Sequence, residues 1–146
     1  MISDSHYTRT FDSSVGVLTL VATDKGLRAV KWPNEREDRL PLPAEMIPTE
    51  DHPVLQEAVL QLEEYFDGRR TSFDLPLDLR GTDFQQEAWR ALASIPYGET
   101  TSYGVQAARI GRPRAVRAIG AANGRNPISI ILPCHRVVGA NGSLTG

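Results

Sequence analysis

The sequence predicts an α+β protein in two parts, an N-terminal antiparallel β meander with one helix and a C-terminal helical domain. Residues 7–31 alternate between apolar and polar side chains, which is typical of a half-buried sheet. Residues 54–66 and 82–122 place apolar side chains three and four positions apart, which is typical of helices. The composition changes at Gly81, which separates the two parts.

We therefore expect two domains, over residues 1–80 and 81–146. In the first domain, residues 15–22 and 27–32 are the clearest strands because they are rich in β-branched and aliphatic side chains. The turn between them ends at Gly26, where a positive φ is expected.

The segment after the meander, residues 33–53, contains five of the ten prolines and is predicted to be a connection. A helix over 54–66 follows it. Asp51 is the expected N-cap of this helix, and Pro53 suits its first turn. Residues 72–79 alternate again, which predicts either a short strand or an extended linker.

The C-terminal domain is predicted to contain three helices, over residues 82–95, 101–110 and 113–122. Thr82 is the expected N-cap of the first helix, and Pro113 suits the first turn of the third. A tight turn at Gly111 joins the second helix to the third, which makes a helix-turn-helix pattern. An apolar run over 128–132 then predicts a short buried strand that leads to Cys134.

Composition and termini exclude several classes of protein. The chain is 40% apolar and 23% charged, which is globular and argues against disorder. No apolar run approaches the ~20 residues of a membrane helix. The first residues lack the basic and apolar regions of a secretory signal. We therefore expect a cytoplasmic protein without a membrane partner.

The charge is distributed unevenly along the chain. Residues 1–99 contain all 18 acidic residues and ten basic ones, whereas residues 100–146 contain six arginines and no acidic residue. A basic surface on the C-terminal domain favours nucleic acid as a partner, because phosphate attraction depends on the face that is presented. The alternative is that the arginines only solubilise an alanine-rich segment.

Cys134 is the one cysteine of the chain, which excludes an internal disulfide framework and a cysteine-rich zinc site. His6, His52 and His135 are scattered, so we expect no metal site. A thiol becomes a nucleophile as the thiolate, which nearby positive charge or a base favours, and His135 and Arg136 follow Cys134 directly. The alternative is a small buried hydrophobic side chain.

The segment Ile131-Leu132-Pro133-Cys134-His135-Arg136-Val137-Val138-Gly139 resembles the active-site signature of the O6-alkylguanine-DNA alkyltransferases, also called methylated-DNA–protein-cysteine methyltransferases. Other segments match the family in the same order, namely Gly81-Thr82-Asp83-Phe84-Gln85, Ile95-Pro96-Tyr97-Gly98, Thr101-Ser102-Tyr103-Gly104, Arg117-Ala118-Ile119-Gly120 and Asn126-Pro127. The match is tight over residues 81–146 and loose over the meander. It implies an N-terminal scaffolding domain of ribonuclease H-like shape and a winged-helix-like C-terminal domain with an active-site strand.

The resemblance implies direct reversal of DNA damage, with one turnover for each protein molecule. Cys134 would accept the alkyl group from O6 of guanine, and His135 would take the thiol proton through a water. Asn126 would orient the active-site turn. Tyr103 would donate a hydrogen bond toward the base and press on the phosphate of the flipped nucleotide. The resemblance implies no cofactor, and we expect a monomer.

The expected partner is double-stranded DNA that contains O6-alkylguanine, bound through its minor groove with the damaged base extruded. Arg117 would fill the vacated stack, since a long, flat cation suits that role. Small side chains on the recognition helix would let the backbone approach DNA closely. The further DNA-binding candidates are Ala118, Gly120, Ala121, Arg114 and Arg125. The alternative for Arg117 is an ordinary exposed helix arginine. The alternative for the small side chains is that they pack the helix against its neighbours.

Family members continue after the position of Gly146 with a glycine-rich segment and a last helix, whose glutamate hydrogen-bonds the active-site histidine. Residues 100–146 contain no carboxylate that takes its place. We expect the natural chain to be longer, and the 146-residue form to have a weaker thiolate and an open pocket.

Two other functions compete with DNA repair. A helix-turn-helix protein that binds DNA or lesions without chemistry would be unaffected by loss of the thiol, although lesion sensors related to this family lack the acceptor cysteine. A Cys-His hydrolase would turn over many times, but the sequence lacks an oxyanion-type glycine arrangement.

Overall fold

The computed structural model describes residues 4–35 and 40–139. The chain divides into two compact units, Met1–Leu79 and Arg80–Gly146. Residues 140–146 lie outside the described residues. Within the described residues, no helix is long and apolar enough to cross a membrane.

The first unit is built on a four-stranded sheet. Strands β1 (Tyr7–Ser13), β2 (Gly16–Thr23) and β3 (Gly26–Lys31) are antiparallel, as the alternating pattern predicts. A short strand β4 (Ile47–Pro48) adds to the outer edge of β1 in the parallel sense, so that the order is β3-β2-β1-β4. Strand β4 lies inside the segment predicted to be only a connection, because two residues leave too little pattern to detect.

Helix α1 (Pro53–Phe66) packs against β1, β2 and β3. Side chains with no exposed surface lie on both elements, among them Leu55 and Leu62 of α1 and Leu18 and Leu20 of β2. Burial of each such side chain contributes about 1.5–3 kcal/mol to the stability of the unit.

The N-cap of α1 is His52, so the prediction of Asp51 is wrong. The imidazole Nδ1 of His52 accepts a hydrogen bond from the backbone N–H of Val54 at 3.3 Å. Its Nε2 lies 3.1 Å from Oδ1 of Asp24, which holds the ring in this orientation. Asp51 instead donates its backbone N–H to Oγ1 of Thr49.

Residues 72–79 form an extended segment with a single bridge, in which Leu77 pairs with Leu27 in the parallel sense. The backbone comes very close to Gly26, whose φ is +155°, because a Cβ atom there would lie 2.6 Å from the Pro76 carbonyl oxygen. A glycine is therefore required at this turn for a second reason besides its backbone conformation.

The second unit contains α2 (Asp83–Leu92), α3 (Tyr103–Arg109) and α4 (Val116–Gly124), which pack on one another. Thr82 caps α2 as predicted, in a reciprocal capping box with Gln85. Strands β5 (Thr101–Ser102) and β6 (Val137–Val138) pair in the parallel sense.

The three helices are shorter than predicted or shifted. Helix α2 ends at Leu92 rather than Ile95. Helix α3 begins at Tyr103, because Ser102 accepts a hydrogen bond from the backbone of Val105 and acts as the N-cap. The prediction that α4 starts at Pro113 is also wrong, since residues 112–115 form a turn closed by the Ala115 N–H and the Arg112 carbonyl.

The buried strand predicted over 128–132 is wrong as well. These residues form a tight buried turn in which the Leu132 N–H donates to the Ile128 carbonyl at 2.9 Å. Ile130 adopts a φ of +76°, the one positive value among the described residues other than glycine. An apolar run alone does not distinguish a buried strand from a buried turn.

Candidate active site

The segment before the cysteine is held by one amide side chain. Asn126, 1% exposed, donates from Nδ2 to the Leu132 carbonyl at 2.6 Å and accepts from the Ile128 N–H at 2.9 Å. The side chain therefore supplies both a donor and an acceptor across the turn, which a buried backbone needs when it has no strand partner. The turn that leads to Cys134 is in this way closed from inside.

Cys134 begins a 3₁₀ turn, Cys134–Arg136. Its N–H donates to the Leu132 carbonyl at 2.9 Å, and its carbonyl accepts from the N–H of Val137. Cys134 is partly exposed, so the residue is not sealed in the core. A nucleophile needs this combination of access and fixed geometry.

His135 is exposed and lies directly beside the thiol in the chain. Neighbouring atoms remove part of the water around the ring, and this partial burial lowers the pKa of His135 below its ordinary value. The positive charge of Arg136 lowers the pKa further. At neutral pH the imidazole is therefore neutral and able to accept a proton.

Strand β6 follows the 3₁₀ turn and pairs with β5, which runs directly into Tyr103 at the start of α3. Tyr103 is 9% exposed, and its ring lies against α4, where a Cβ atom at Gly120 would stand 4.0 Å from it. The β5–β6 pair therefore ties the end of the cysteine segment to the strand that leads into Tyr103. The position of the ring against α4 brings Tyr103 close to Gly120.

Helix α4 has one buried and one exposed side. Ile119, Ala122 and Asn123 face the unit. The predicted DNA-binding residues Arg117, Ala118 and Ala121 are exposed, and Gly120 is half-buried. Arg114 and Arg125 are exposed too, but they flank the helix, in the preceding turn and at the C-cap.

A buried polar network fixes α4 from behind. The indole Nε1 of Trp89 donates to the Ala122 carbonyl at 2.7 Å. Gln106 and Asn123 exchange two hydrogen bonds at 3.0 and 2.9 Å, and Gln106 also donates to the Ala88 carbonyl. These bonds link α2, α3 and α4, so they fix the position of α4 relative to the other two helices.

An open groove of about 540 Å³ lies at the helix-turn-helix turn, lined by Arg112, Pro113, Arg114 and Ala115. The guanidinium of Arg112 lies 5.8 Å from the centre of the Phe84 ring, and its Nε is 3.5 Å from a Glu87 oxygen. Part of the basic charge near this turn is therefore already paired within the unit.

The sequence reasoning missed a buried arginine and its partners. Arg136, 9% exposed, donates from Nη1 to the Ile95 carbonyl at 2.8 Å, and its guanidinium lies 5.5 Å from the centre of the Tyr97 ring. A buried arginine cannot be distinguished from a surface arginine by sequence pattern. Its position directly after the Cys-His pair was the available signal.

The part of the chain that the structure describes contains no group of three or more His, Cys, Asp or Glu side chains arranged to hold a metal ion.

Two family models together match most of the chain. Residues 6–79 match the ribonuclease-like domain of 6-O-methylguanine DNA methyltransferase, and residues 83–146 match its DNA binding domain. The chain is 52% identical over 141 residues to the methylated-DNA–protein-cysteine methyltransferase of Mycobacterium tuberculosis, which covers 97% of this chain and 82% of that relative. The Methanosarcina barkeri protein of the same name is 49% identical over 135 residues, which are 92% of this chain and 84% of the relative.

Solved structures agree with these similarities. The crystal structure of Mycobacterium tuberculosis OGT in complex with DNA superimposes with a TM-score of 0.84 at 50% identity, over 96% of this chain and 83% of that one. The crystal structure of the Mycobacterium tuberculosis O6-methylguanine methyltransferase has the same TM-score and identity. The fold and the cysteine site define a DNA-alkylation repair class. The chain belongs to the methylated-DNA–protein-cysteine methyltransferase family.

Proposed function

We propose that this chain repairs DNA by transferring an alkyl group from O6 of guanine to its own Cys134. One observation carries the proposal: a partly exposed cysteine stands on a turn closed by the Asn126 side chain and is followed by a histidine whose pKa is lowered. Membership of the family supports the same reaction. The alternative of a helix-turn-helix protein without chemistry is not favoured, since it has no use for this thiol.

The reaction is a single displacement. His135 takes the thiol proton, and the thiolate Sγ of Cys134 forms a bond to the alkyl carbon. The bond between that carbon and O6 breaks, and its electron pair passes to the guanine. Tyr103 donates a proton to the base and recovers one from His135 through solvent.

The product is a thioether, which is a poor leaving group, so each molecule acts once. No cofactor enters the balance, because the thiol is the acceptor and the base is the leaving group. A thiol that must stay reduced fits the cytoplasm. One copy of the chain supplies every group used, so we infer that the monomer is the active form.

DNA meets the protein at α4 in this proposal. The exposed side of the helix carries small side chains at Ala118 and Ala121, which allow close approach to a minor groove. The alkylated nucleotide leaves the stack to reach Cys134, and the exposed Arg117 fills the space. Arg114 and Arg125 contact phosphates on either side of the helix.

The two units divide the work. We assign DNA binding and alkyl acceptance to residues 81–146 and a scaffolding role to residues 1–80. The charge asymmetry supports this assignment, since residues 100–146 carry six arginines and no acidic residue.

The test is a mass measurement on the protein after incubation with an excess of an oligonucleotide containing O6-methylguanine. The expected result is a gain of about 14 Da, one methyl group, that stops at one equivalent for each chain. Many turnovers without a mass change would indicate a hydrolase, and binding without either change would indicate a DNA-binding protein without chemistry.

A further inference from the structure

The turn that carries Cys134 contains a buried charged side chain to which the reaction above gives no role. Arg136 is 9% exposed, although an arginine of no structural use would lie in solvent. Its guanidinium stays charged at any physiological pH, so burial requires specific partners. Two such partners lie in one loop, between α2 and β5.

The first partner is the Ile95 carbonyl, which accepts a hydrogen bond from Nη1 at 2.8 Å. The second is the Tyr97 ring, whose centre lies 5.5 Å from the guanidinium carbon. Tyr97 is 54% exposed, so its ring is not held there by burial in the core. A planar guanidinium satisfies both partners at once, which the ammonium of a lysine cannot do.

This contact completes the attachment of the cysteine turn. Asn126 closes the turn before Cys134, and the β5–β6 pairing holds the residues after Arg136. Between those two points, the Arg136 contact is the side-chain link described from the 3₁₀ turn to the 95–97 loop. Without it, the Cys134–Arg136 turn keeps its backbone hydrogen bonds but loses this side-chain attachment to the 95–97 loop.

We propose that Arg136 is a positioning residue for alkyl transfer, which fixes the Cys134–Arg136 turn on the Ile95 carbonyl and the Tyr97 ring and places its charge beside His135. The inference rests on the function proposed above. It assigns a second effect to the same side chain, because Arg136 is the charged group that acts on the His135 imidazole. Arg136 therefore acts on the position of the turn and, together with the partial burial of the ring, on the proton-accepting form of His135.

The experiment compares Arg136→Met and Arg136→Lys with the wild-type chain, by the rate of Cys134 methylation at saturating lesion-containing duplex. Arg136→Met is expected to lower this rate about 100-fold, as a displacement of about 1 Å does, and to leave the half-saturating DNA concentration within about twofold. The methylation rate of Arg136→Met should begin to fall at a higher pH than that of the wild-type chain. The positive charge that helps to lower the His135 pKa is absent from this variant. Arg136→Lys keeps the charge, so its methylation rate should begin to fall at the same pH as in the wild-type chain. The rate itself should be about tenfold below that of the wild-type chain.

Tyr97→Leu is the second variant, since it removes the ring from an exposed position with little risk to folding. It is expected to slow methylation about threefold to tenfold at unchanged half-saturation. Arg69→Met is the matched control, because Arg69 is an exposed arginine of the first unit, paired with Asp67. It should behave as wild type.

Wild-type rates and an unmoved acid limb in Arg136→Met would overturn the inference and leave the proposed function intact. If Arg136→Met does not fold, a wild-type rate in Tyr97→Leu overturns it in the same way. A wild-type chain whose Cys134 stays unmodified overturns the proposed function, and this inference with it.

Discussion

Each of the two units contains a buried amide side chain that holds an irregular backbone segment by two hydrogen bonds. In the first, the amide of Gln61 donates to the Asp74 carbonyl and accepts from the Asp74 N–H, both at 2.9 Å. In the second, the amide of Asn126 bonds in the same two-sided way to Leu132 and Ile128. Each buried amide replaces a missing strand partner for an irregular segment.

The segments that these amides hold differ in consequence. Gln61 fixes an extended stretch that closes the first unit beside the sheet. Asn126 fixes the turn that presents Cys134. Under the proposed function, comparable hydrogen bonds serve stability alone in the first unit, and stability together with reaction geometry in the second.

Of the substitutions that test this comparison, Asn126→Ala is expected to have the largest effect on stability and on the methylation rate. It leaves the Leu132 carbonyl and the Ile128 N–H buried without their partner, which costs about 2–4 kcal/mol of unfolding free energy. The displaced turn should lower the methylation rate at saturating DNA by about 100-fold or more. Urea unfolding and single-turnover mass measurements test the two effects. A wild-type rate in a folded Asn126→Ala protein would contradict the role given to this amide.

The next effect concerns the exposed side of the second unit. Arg117→Ala is expected to slow methylation of lesion-containing duplex about tenfold, because no side chain fills the vacated stack. The same lesion in single-stranded DNA has no stack to refill and should react at nearly the wild-type rate. Arg69→Ala provides a control of equal charge change. Equal losses on duplex and single strand would defeat the assignment.

A smaller effect is expected from pH. The pKa of His135 lies below its ordinary value of about 6.5. The neutral imidazole therefore predominates at pH 6.5, and protonation requires a lower pH. The methylation rate should therefore hold down to about pH 6.5 and fall only at lower pH, as protonation removes the base. His135→Gln should be slow and lack this limb. An acid limb centred at or above about pH 6.5 would contradict the assigned environment.

The smallest effect on the reaction is expected from Gln61→Ala, which completes the comparison. It should lower the unfolding free energy by about 1–3 kcal/mol, since the part-buried N–H and carbonyl of Asp74 lose their partner. The methylation rate of the folded protein should stay within about twofold of wild type. A loss comparable to that of Asn126→Ala would show that the two units do not divide the work as proposed.

The parts of the fold that were predictable are those with a repeating pattern. The meander shows through alternation, and α1 through apolar side chains such as Leu55 and Leu62 at helical spacing. The parts that failed depend on single long-range contacts. The run 128–132 forms a turn rather than a strand because the Asn126 side chain closes it, which outweighs β propensity.

Within the candidate site, the resemblance to the family pointed to Cys134, His135, Asn126 and Tyr103, whereas the structure adds how they are held. Arg136 could not be recognised as buried, because its partners Ile95 and Tyr97 lie about 40 positions earlier in the chain. The Gln106–Asn123 pair was missed for the same reason. Pairings of this kind become visible only when helices are placed side by side.

The most direct test of the central claim is to locate the transferred methyl group. Wild-type protein and Cys134→Ser are incubated with the same O6-methylguanine duplex, digested, and the peptide that contains position 134 is weighed. The account predicts about 14 Da on the wild-type peptide, retained on prolonged incubation, and none on the Cys134→Ser peptide, whose parent protein still binds DNA. Repair of the lesion by Cys134→Ser, or a methyl group on any other residue of the wild-type chain, would contradict it.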